Sequence, residues 1–280
     1  MRLRTILAGF ATLAGACFAL VSPFAPSASG APTWAPAATA TIHPGVQMVS
    51  DSGQCTANFV FTNGTEVLLG FAAHCIGTGA ATETNGCDAG SLGLGTPVEI
   101  DGASQPGTVV YSSWLAMQSV GETDANTCDY NDLALVRING SDVANVNPSI
   151  PHWGGPTGLN TTGNPALARV YSYGNSSLRL GITQLSPKTG VSLGTDGGGW
   201  THPVYTVTPG IPGDSGSAFL DASGRATGVL STIAIAPLPA SNGVGDLNHE
   251  INYARSHGMS GLTLALGTVA FDGSKLPLGV

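Results

Sequence analysis

Charged side chains are scarce in this 280-residue chain, where Asp, Glu, Lys and Arg together make up 9% of the residues. The 9 Lys and Arg residues are outnumbered by 17 Asp and Glu residues, which gives a formal net charge of −8. Nucleic acids and anionic membranes are bound by basic surfaces, so we expect neither as a partner. Disorder is also excluded, because hydrophobic residues reach 42% and can form a core.

Cysteine is rare as well, and no Cys-x-x-Cys pair occurs, so the sequence offers no typical structural zinc site. We expect no metal and no organic cofactor. One of the five cysteines, Cys17, lies in the N-terminal segment. The other four are Cys55, Cys75, Cys87 and Cys128. An even number of cysteines in an exported chain suggests two disulfides, and four cysteines allow three pairings.

The first 31 residues have the composition of a secretory signal peptide. Arg2 and Arg4 precede an uncharged, largely apolar run over residues 5–21, and small residues with prolines follow as far as Ala31. The alternative is a membrane anchor, although the run is at the short limit of the ~20 residues that cross a bilayer. We expect cleavage and a secreted, extracellular protein with no membrane attachment. Cleavage would remove two basic residues and leave the chain still more acidic.

Glycine, in contrast, is abundant at 40 residues, which together with the low charge indicates an all-β chain with many tight turns. Short apolar strands fill two regions on either side of a proline-rich loop. The expected segments are a signal peptide at 1–31, a linker or short pro-segment at 32–42, a first β-domain at 43–145, an interdomain linker at 146–160, a second β-domain with a C-terminal helix at 161–258, and an extension at 259–280.

Local patterns predict individual elements. Asn63-Gly64 is a strong hairpin turn signal. Residues 177–183 are predicted as a strand. The only helix that the pattern predicts runs over about 247–257, with Asp246 as its N-cap and Gly258 after its end. Residues 262–266 could add an edge strand.

Three short motifs follow one another along the chain. They are Phe71-Ala-Ala-His74-Cys75, Asn131-Asp132-Leu-Ala-Leu-Val136 and Pro212-Gly213-Asp214-Ser215-Gly216-Ser217. Each alone has an ordinary structural interpretation: a structural histidine, an aspartate cap and a turn. Together and in this order, they resemble the motifs of the chymotrypsin/trypsin-like serine peptidases, secreted bacterial type, over about residues 43–257.

The resemblance implies an all-β fold of two antiparallel six-stranded β-barrels with a C-terminal helix. It implies a serine endopeptidase that acts on polypeptides and forms an acyl-enzyme at Ser215. His74 would be the general base and acid, and Asp132 would orient it. The backbone N–H groups of Gly213 and Ser215 would form the oxyanion hole, and glycine at 213 and 216 would permit the sharp turn that exposes Ser215.

Further roles follow from the same resemblance. Ser231 would support Asp132 and border the substrate, while Pro209 would lie at the base of the specificity pocket and Ile233 on its wall. We therefore expect cleavage after small or medium uncharged side chains. Cys55 would pair with Cys75, which leaves Cys87 for Cys128. No Ile-Val-Gly-Gly start precedes the first strand, so Asp214 needs an internal cation, and Arg169 is our prediction.

Two other interpretations of these motifs exist. An α/β-hydrolase also uses Ser, Asp and His, but it requires Gly-x-Ser-x-Gly before a helix, whereas Gly213-Asp-Ser-Gly-Ser217 precedes a predicted strand. The other is a catalytically silent binding module on the same fold, which usually lacks one of the three residues. A peptidase that must first be trimmed near residues 31–45 is a variant of the main prediction. We expect a monomer.

Overall fold

Fourteen strands and three helices lie within residues 32–80, 82–234 and 239–277, which are the residues that the computed structural model describes. The expected signal peptide lies outside the described residues. The strands are β1 (Gln47–Ser50), β2 (Gly53–Thr56), β3 (Val60–Asn63), β4 (Glu66–Ala72), β5 (Pro97–Ile100), β6 (Gly107–Ser112), β7 (Leu133–Arg137), β8 (Arg169–Tyr173), β9 (Pro187–Ser192), β10 (Thr201–Thr206), β11 (Ala218–Asp221), β12 (Ala226–Ala234), β13 (Ser241–Asp246) and β14 (Leu262–Leu264). The helices are α1 (Ser113–Val120), α2 (Ala125–Tyr130) and α3 (Leu247–Ser256).

The first β-domain is an antiparallel sheet with the strand order β14-β3-β4-β7-β6-β5-β1-β2. Gly64 lies in the turn between β3 and β4 with φ +62°, so the predicted hairpin is confirmed. The sheet has eight strands rather than the expected six. One of the additional strands is β14, in which Leu262 is buried and pairs with Asn63. It covers the edge of β3, which would otherwise expose unpaired backbone groups.

The second β-domain is a closed antiparallel barrel of six strands, in the order β10-β13-β12-β11-β8-β9, as predicted. Its interior contains a small cluster of apolar side chains from alternate strand positions, namely Val170, Val204, Phe219, Leu230 and Val244. This barrel places the turn that contains Ser215 directly before β11.

Helix α3 is confirmed close to its predicted bounds, and the Asp246 side chain accepts the His249 N–H at 2.8 Å as its N-cap. Helices α1 and α2 were not predicted. Both are short, and α1 begins directly at the end of β6 with no capping side chain. None of the helices in the described part of the chain combines the length and the apolarity that crossing a bilayer requires.

The predicted strand at 177–183 is wrong. The segment forms consecutive 3₁₀ turns, of which the first, Ser177–Arg179, is capped by the Ser176 side chain. Leu180 follows with φ +54° and is 87% exposed. The apolar residues of this segment face solvent, while the Arg179 side chain is only 9% exposed, which is the reverse of what the apolar pattern predicts.

Candidate active site

His74 and Asp132 are brought together by two neighbouring strands. His74 lies in a 3₁₀ turn just after β4, and Asp132 lies just before β7. β4 and β7 pair with Ala72 opposite Leu133. The chain just after Ala72 therefore lies beside the chain just before Leu133. The Asp132 carboxylate accepts the His74 N–H at 2.8 Å with Oδ1 and binds the ring atom Nδ1 at 2.7 Å with Oδ2. Two contacts to one carboxylate fix both the position and the orientation of the imidazole.

The Asp132 carboxylate has a further partner in the second barrel, where the Ser231 hydroxyl donates to Oδ2 at 2.6 Å. Only 5% of the Asp132 side chain is exposed, against 27% for His74. Burial lowers the pKa of His74, but the charge and the hydrogen bond of Asp132 outweigh it and hold that pKa above its ordinary value of 6.5.

A buried glutamate lies behind Asp132. Glu250 of α3 is fully buried, and its Oε1 accepts the backbone N–H of Asp132 at 3.1 Å. Burial raises the pKa of Glu250 well above its ordinary value, and the nearby charges of Asp132 and Asp246 raise it further. The Glu250 carboxyl group therefore supports Asp132 through the backbone N–H of that residue. The sequence carried a signal for it, because Glu250 shares one helical face with Leu247, Ile251 and Ala254.

Ser215 lies on a turn that is bound to both β-domains. Its carbonyl oxygen accepts the N–H of Thr56 at 2.8 Å, and the next N–H, of Gly216, donates to Leu230 at 2.7 Å. Gly213 has φ +92° and Gly216 has φ +87°. A Cβ at 216 would lie 2.5 Å from the Thr56 carbonyl oxygen. Glycine is therefore required for the turn to approach β2 this closely.

The two N–H groups predicted for the oxyanion hole are oriented by the carbonyl groups of the same peptides. The Pro212 carbonyl oxygen accepts the Ser176 hydroxyl at 2.6 Å, and the Asp214 carbonyl oxygen accepts the Ser217 hydroxyl. In a trans peptide the N–H points opposite to the C=O. The Gly213 and Ser215 N–H groups thus point away from these partners, and neither donates a hydrogen bond within the described part of the chain.

His74, Asp132 and Ser215 line one cavity of about 620 Å³. The structure does not join all three by hydrogen bonds. Within the described ranges the Ser215 hydroxyl and the His74 Nε2 atom have no hydrogen-bond partner, so the expected contact between them is absent. Contacts of this kind are often long before a substrate is bound. Both groups are therefore free for a reaction partner.

Asp214 is buried and lies between two cations that the sequence analysis did not identify. Its Oδ2 atom is 2.5 Å from Arg179 Nη2 and 3.0 Å from Lys188 Nζ. These cations and the hydrogen bonds that they donate hold the pKa of Asp214 below its ordinary value despite burial. The prediction that Arg169 is the partner of Asp214 is wrong, because Arg169 lies at the exposed start of β8. The segment at 177–183, predicted as a strand, instead directs Arg179 inward.

The remaining predicted site residues separate into two groups. Ser231 and Ile233 line the cavity, and Ile233 is half-exposed. Pro209 does not line it, which corrects our placement of this residue at the base of the pocket. Its carbonyl oxygen faces the buried cations and accepts from Arg179 Nη2 at 3.2 Å.

Both disulfides are present, Cys55–Cys75 and Cys87–Cys128, and the first of them lines the cavity next to His74. Cys55, His74 and Cys75 form the one group of potential metal ligands close enough to share an ion among the residues described. The two sulfur atoms are bonded to each other and are not available as thiolates, so this group does not fit a metal ion.

Comparisons with known proteins agree with this fold. The structure of Thermobifida fusca Protease A superposes with a TM-score of 0.51 at 18% identity, over 81% of this chain and 99% of that chain. Nocardiopsis protease matches with a TM-score of 0.47 at 19% identity, over 80% of this chain and 98% of that chain. Cellulomonas bogoriensis chymotrypsin matches with a TM-score of 0.46 at 17% identity, over 80% and 98%.

The likeness to Protease A shows the fold alone, which is a chymotrypsin-like double β-barrel. The other two superpositions have TM-scores below 0.5. No known protein-family profile matches the chain, and no curated protein matches it.

Proposed function

We propose that this protein is a secreted serine endopeptidase that hydrolyses polypeptides through an acyl-enzyme at Ser215. The observation that carries the proposal is the chain of hydrogen bonds from Ser231 through Asp132 to the His74 ring, in the same cavity as Ser215. A carboxylate that binds Nδ1 fixes the tautomer in which Nε2 can accept a proton. Nε2 and the Ser215 hydroxyl are both unpartnered within the described residues, so both are available for the reaction in this cavity.

In the first half of the reaction, the Ser215 oxygen attacks the carbonyl carbon of the scissile bond while His74 takes the hydroxyl proton. The carbonyl oxygen becomes negative and accepts hydrogen bonds from the N–H groups of Gly213 and Ser215. Each such donor typically stabilises the transition state by ~3 kcal/mol. The C–N bond then breaks, and the proton on His74 passes to the leaving amine, which leaves the acyl group on Ser215.

In the second half, a water molecule attacks the acyl carbon while His74 takes its proton. The same two N–H groups stabilise the negative oxygen again. The bond to the Ser215 oxygen breaks, and His74 returns its proton to this oxygen. Asp132 remains a carboxylate throughout and stabilises the positive charge that the imidazole carries in both halves.

A binding module on the same fold is the second candidate, favoured by the missing contact between His74 and Ser215. Covalent labelling of the purified, folded chain with an organophosphonate separates the two. We expect one phosphonyl group per chain, found on the peptide that contains Ser215. A chain that unfolds cooperatively, as a folded protein does, and yet stays unlabelled would contradict the peptidase proposal and support binding alone.

The pH dependence of hydrolysis follows from the pKa of His74. Neutral imidazole is the active form, and Asp132 holds the pKa of His74 above 6.5. As the pH falls through that pKa, His74 becomes protonated, so kcat/KM should fall about tenfold per pH unit in acid. The measurement is kcat/KM against pH with a peptide that has no titrating group. A midpoint below 6.5 would contradict the electrostatic role of Asp132.

A further inference from the structure

The backbone N–H of Asp132 is held by a carboxyl group from the far end of the chain. Asp132 immediately precedes β7, and its N–H donates to Oε1 of Glu250, which lies 118 residues later on α3. The Asp132 side chain in turn orients His74 through two hydrogen bonds. A change in the position of the Glu250 carboxyl group would therefore reach His74 through a single residue.

Gly245 on β13 leaves the space that this carboxyl group occupies. It pairs with Val229 on β12. A Cβ at position 245 would lie 2.6 Å from Glu250 Oε1 and 3.1 Å from the Tyr130 carbonyl oxygen, which is closer than an ordinary van der Waals contact. The Glu250 side chain is fully buried, and its carboxyl group packs directly against the strand backbone.

The titratable groups that face Glu250 from neighbouring elements are acidic. Asp132, before β7, and Asp246, at the end of β13, are near enough for their negative charges to act on it. Tyr111 of β6 is near enough for the charge of Glu250 to act on its buried hydroxyl. The other elements packed against α3 are α1, β12 and β14, and none of them contains a titratable residue.

The basic side chains of α3 itself have other partners. His249 Nδ1 binds Asp246 at 2.9 Å, and Arg255 Nε donates to the Leu262 carbonyl oxygen at 2.9 Å. Within the described ranges Glu250 Oε2 has no hydrogen-bond partner, and no cation pairs with either of its oxygens. A carboxylate buried without a cation is far more costly than the neutral acid. The raised pKa of Glu250, caused first by burial, agrees with this.

We propose that Glu250 is a positioning residue that acts as a neutral acid, holding the Asp132 backbone N–H without placing a second negative charge beside the Asp132 carboxylate. The proposal rests on the proposed peptidase function. An acceptor is needed, because the N–H is buried and would otherwise be unpaired. A carboxylate in the same place would repel the carboxylate that binds the His74 ring.

The first test compares two substitutions at this position. Glu250→Gln keeps a neutral carbonyl oxygen as the acceptor, so kcat for a peptide substrate should stay near that of the unaltered protein. Glu250→Ala removes the acceptor, and kcat should fall about tenfold to 100-fold with little change in KM, an effect typical of a slightly misplaced catalytic group. An unchanged kcat in Glu250→Ala would overturn the positioning role.

Ile251→Ala is the matched control. Ile251 is the next residue of α3 and is equally buried, so its truncation lowers stability without removing a partner of Asp132. Its kcat should stay unchanged once rates are normalised to correctly folded sites by organophosphonate titration. An equal loss of kcat in Ile251→Ala would show that Glu250 only stabilises the helix.

The second test follows the proton on Glu250 without measuring activity. A glutamate in the unfolded chain ionises near its ordinary pKa of 4.5, whereas the folded protein would keep its proton to higher pH. The unfolding equilibrium constant of the unaltered protein, divided by that of Glu250→Gln, should therefore rise about tenfold per pH unit over about pH 5–7. Urea unfolding of both proteins measures this ratio. A ratio that does not change with pH would contradict the neutral acid.

The acid midpoint of kcat/KM gives a third readout. Because Glu250→Gln exchanges one neutral group for another, the midpoint set by His74 should stay within about 0.2 pH unit of that of the unaltered protein. A midpoint lowered by about half a unit or more would show that a negative charge had been removed, and would overturn the proposal. Should Glu250→Ala fail to fold, the two pH measurements on Glu250→Gln decide.

The two proposals fail in different ways. A protein that labels at Ser215 and hydrolyses peptides, but whose Glu250→Ala variant keeps its kcat, retains the peptidase function and loses the role of Glu250. A folded protein that neither labels nor hydrolyses peptides loses both.

Discussion

Ser215→Ala should lower kcat by about 10⁶-fold and leave the fold intact. The substitution removes the nucleophile, whereas the Gly213 and Ser215 N–H groups remain in place. A residual rate above that in water should therefore persist. His74→Ala should lower kcat by a similar factor. The double substitution should lower kcat no further than either single substitution does, since the two groups act as a unit.

The measurement is kcat for a peptide ester and a peptide amide, with each variant checked by urea unfolding. Ser223→Ala is the control, because Ser223 lies exposed in the turn of the Asp221–Arg225 hairpin and should leave kcat unchanged. Hydrolysis by Ser215→Ala at the rate of the unaltered protein would disprove the acyl-enzyme mechanism.

Asp214→Asn should reduce the free energy of unfolding by about 3–5 kcal/mol, the usual cost of removing one partner from a buried ion pair. The Lys188 side chain is completely buried and the Arg179 side chain 9% exposed. Without the carboxylate, two desolvated cations would lie close together. Activity should also fall, because Asp214 Oδ2 accepts the Ile211 N–H at 3.1 Å and so holds the segment that carries the Gly213 N–H.

The measurement is the free energy of unfolding in urea of Asp214→Asn, with Arg169→Met as the control. Arg169 is exposed, and its substitution should change stability by no more than about 0.5 kcal/mol. A large loss in Arg169→Met together with an unchanged Asp214→Asn would contradict the ion-pair assignment.

The motifs around His74, Asp132 and Ser215 were sufficient to predict the fold class, because in this order they resemble those of the chymotrypsin/trypsin-like serine peptidases, and the resemblance implies the fold. The partner of Asp214 was not predictable in the same way. It depends on the path of the segment at 177–183, whose apolar residues indicate a strand, whereas the ion pair draws Arg179 inward.

Other structural features were not predicted from the sequence, for related reasons. Short helices such as α1 have too few residues for a periodic pattern to stand out. Glu250 could have been found, since an acidic residue on the apolar face of a predicted helix indicates a buried carboxyl group.

In the proposed mechanism the Ser215 oxygen attacks the carbonyl carbon, His74 takes the hydroxyl proton, and two backbone N–H groups bind the carbonyl oxygen. A crystal structure of the protein after phosphonylation with a peptidyl phosphonate tests it most directly. The account predicts a phosphorus–oxygen bond to Ser215, a phosphonyl oxygen within 3 Å or so of the Gly213 and Ser215 nitrogens, and His74 Nε2 within hydrogen-bond reach of the Ser215 oxygen. A phosphonyl group bound elsewhere, or an oxygen that points away from both N–H groups, would contradict it.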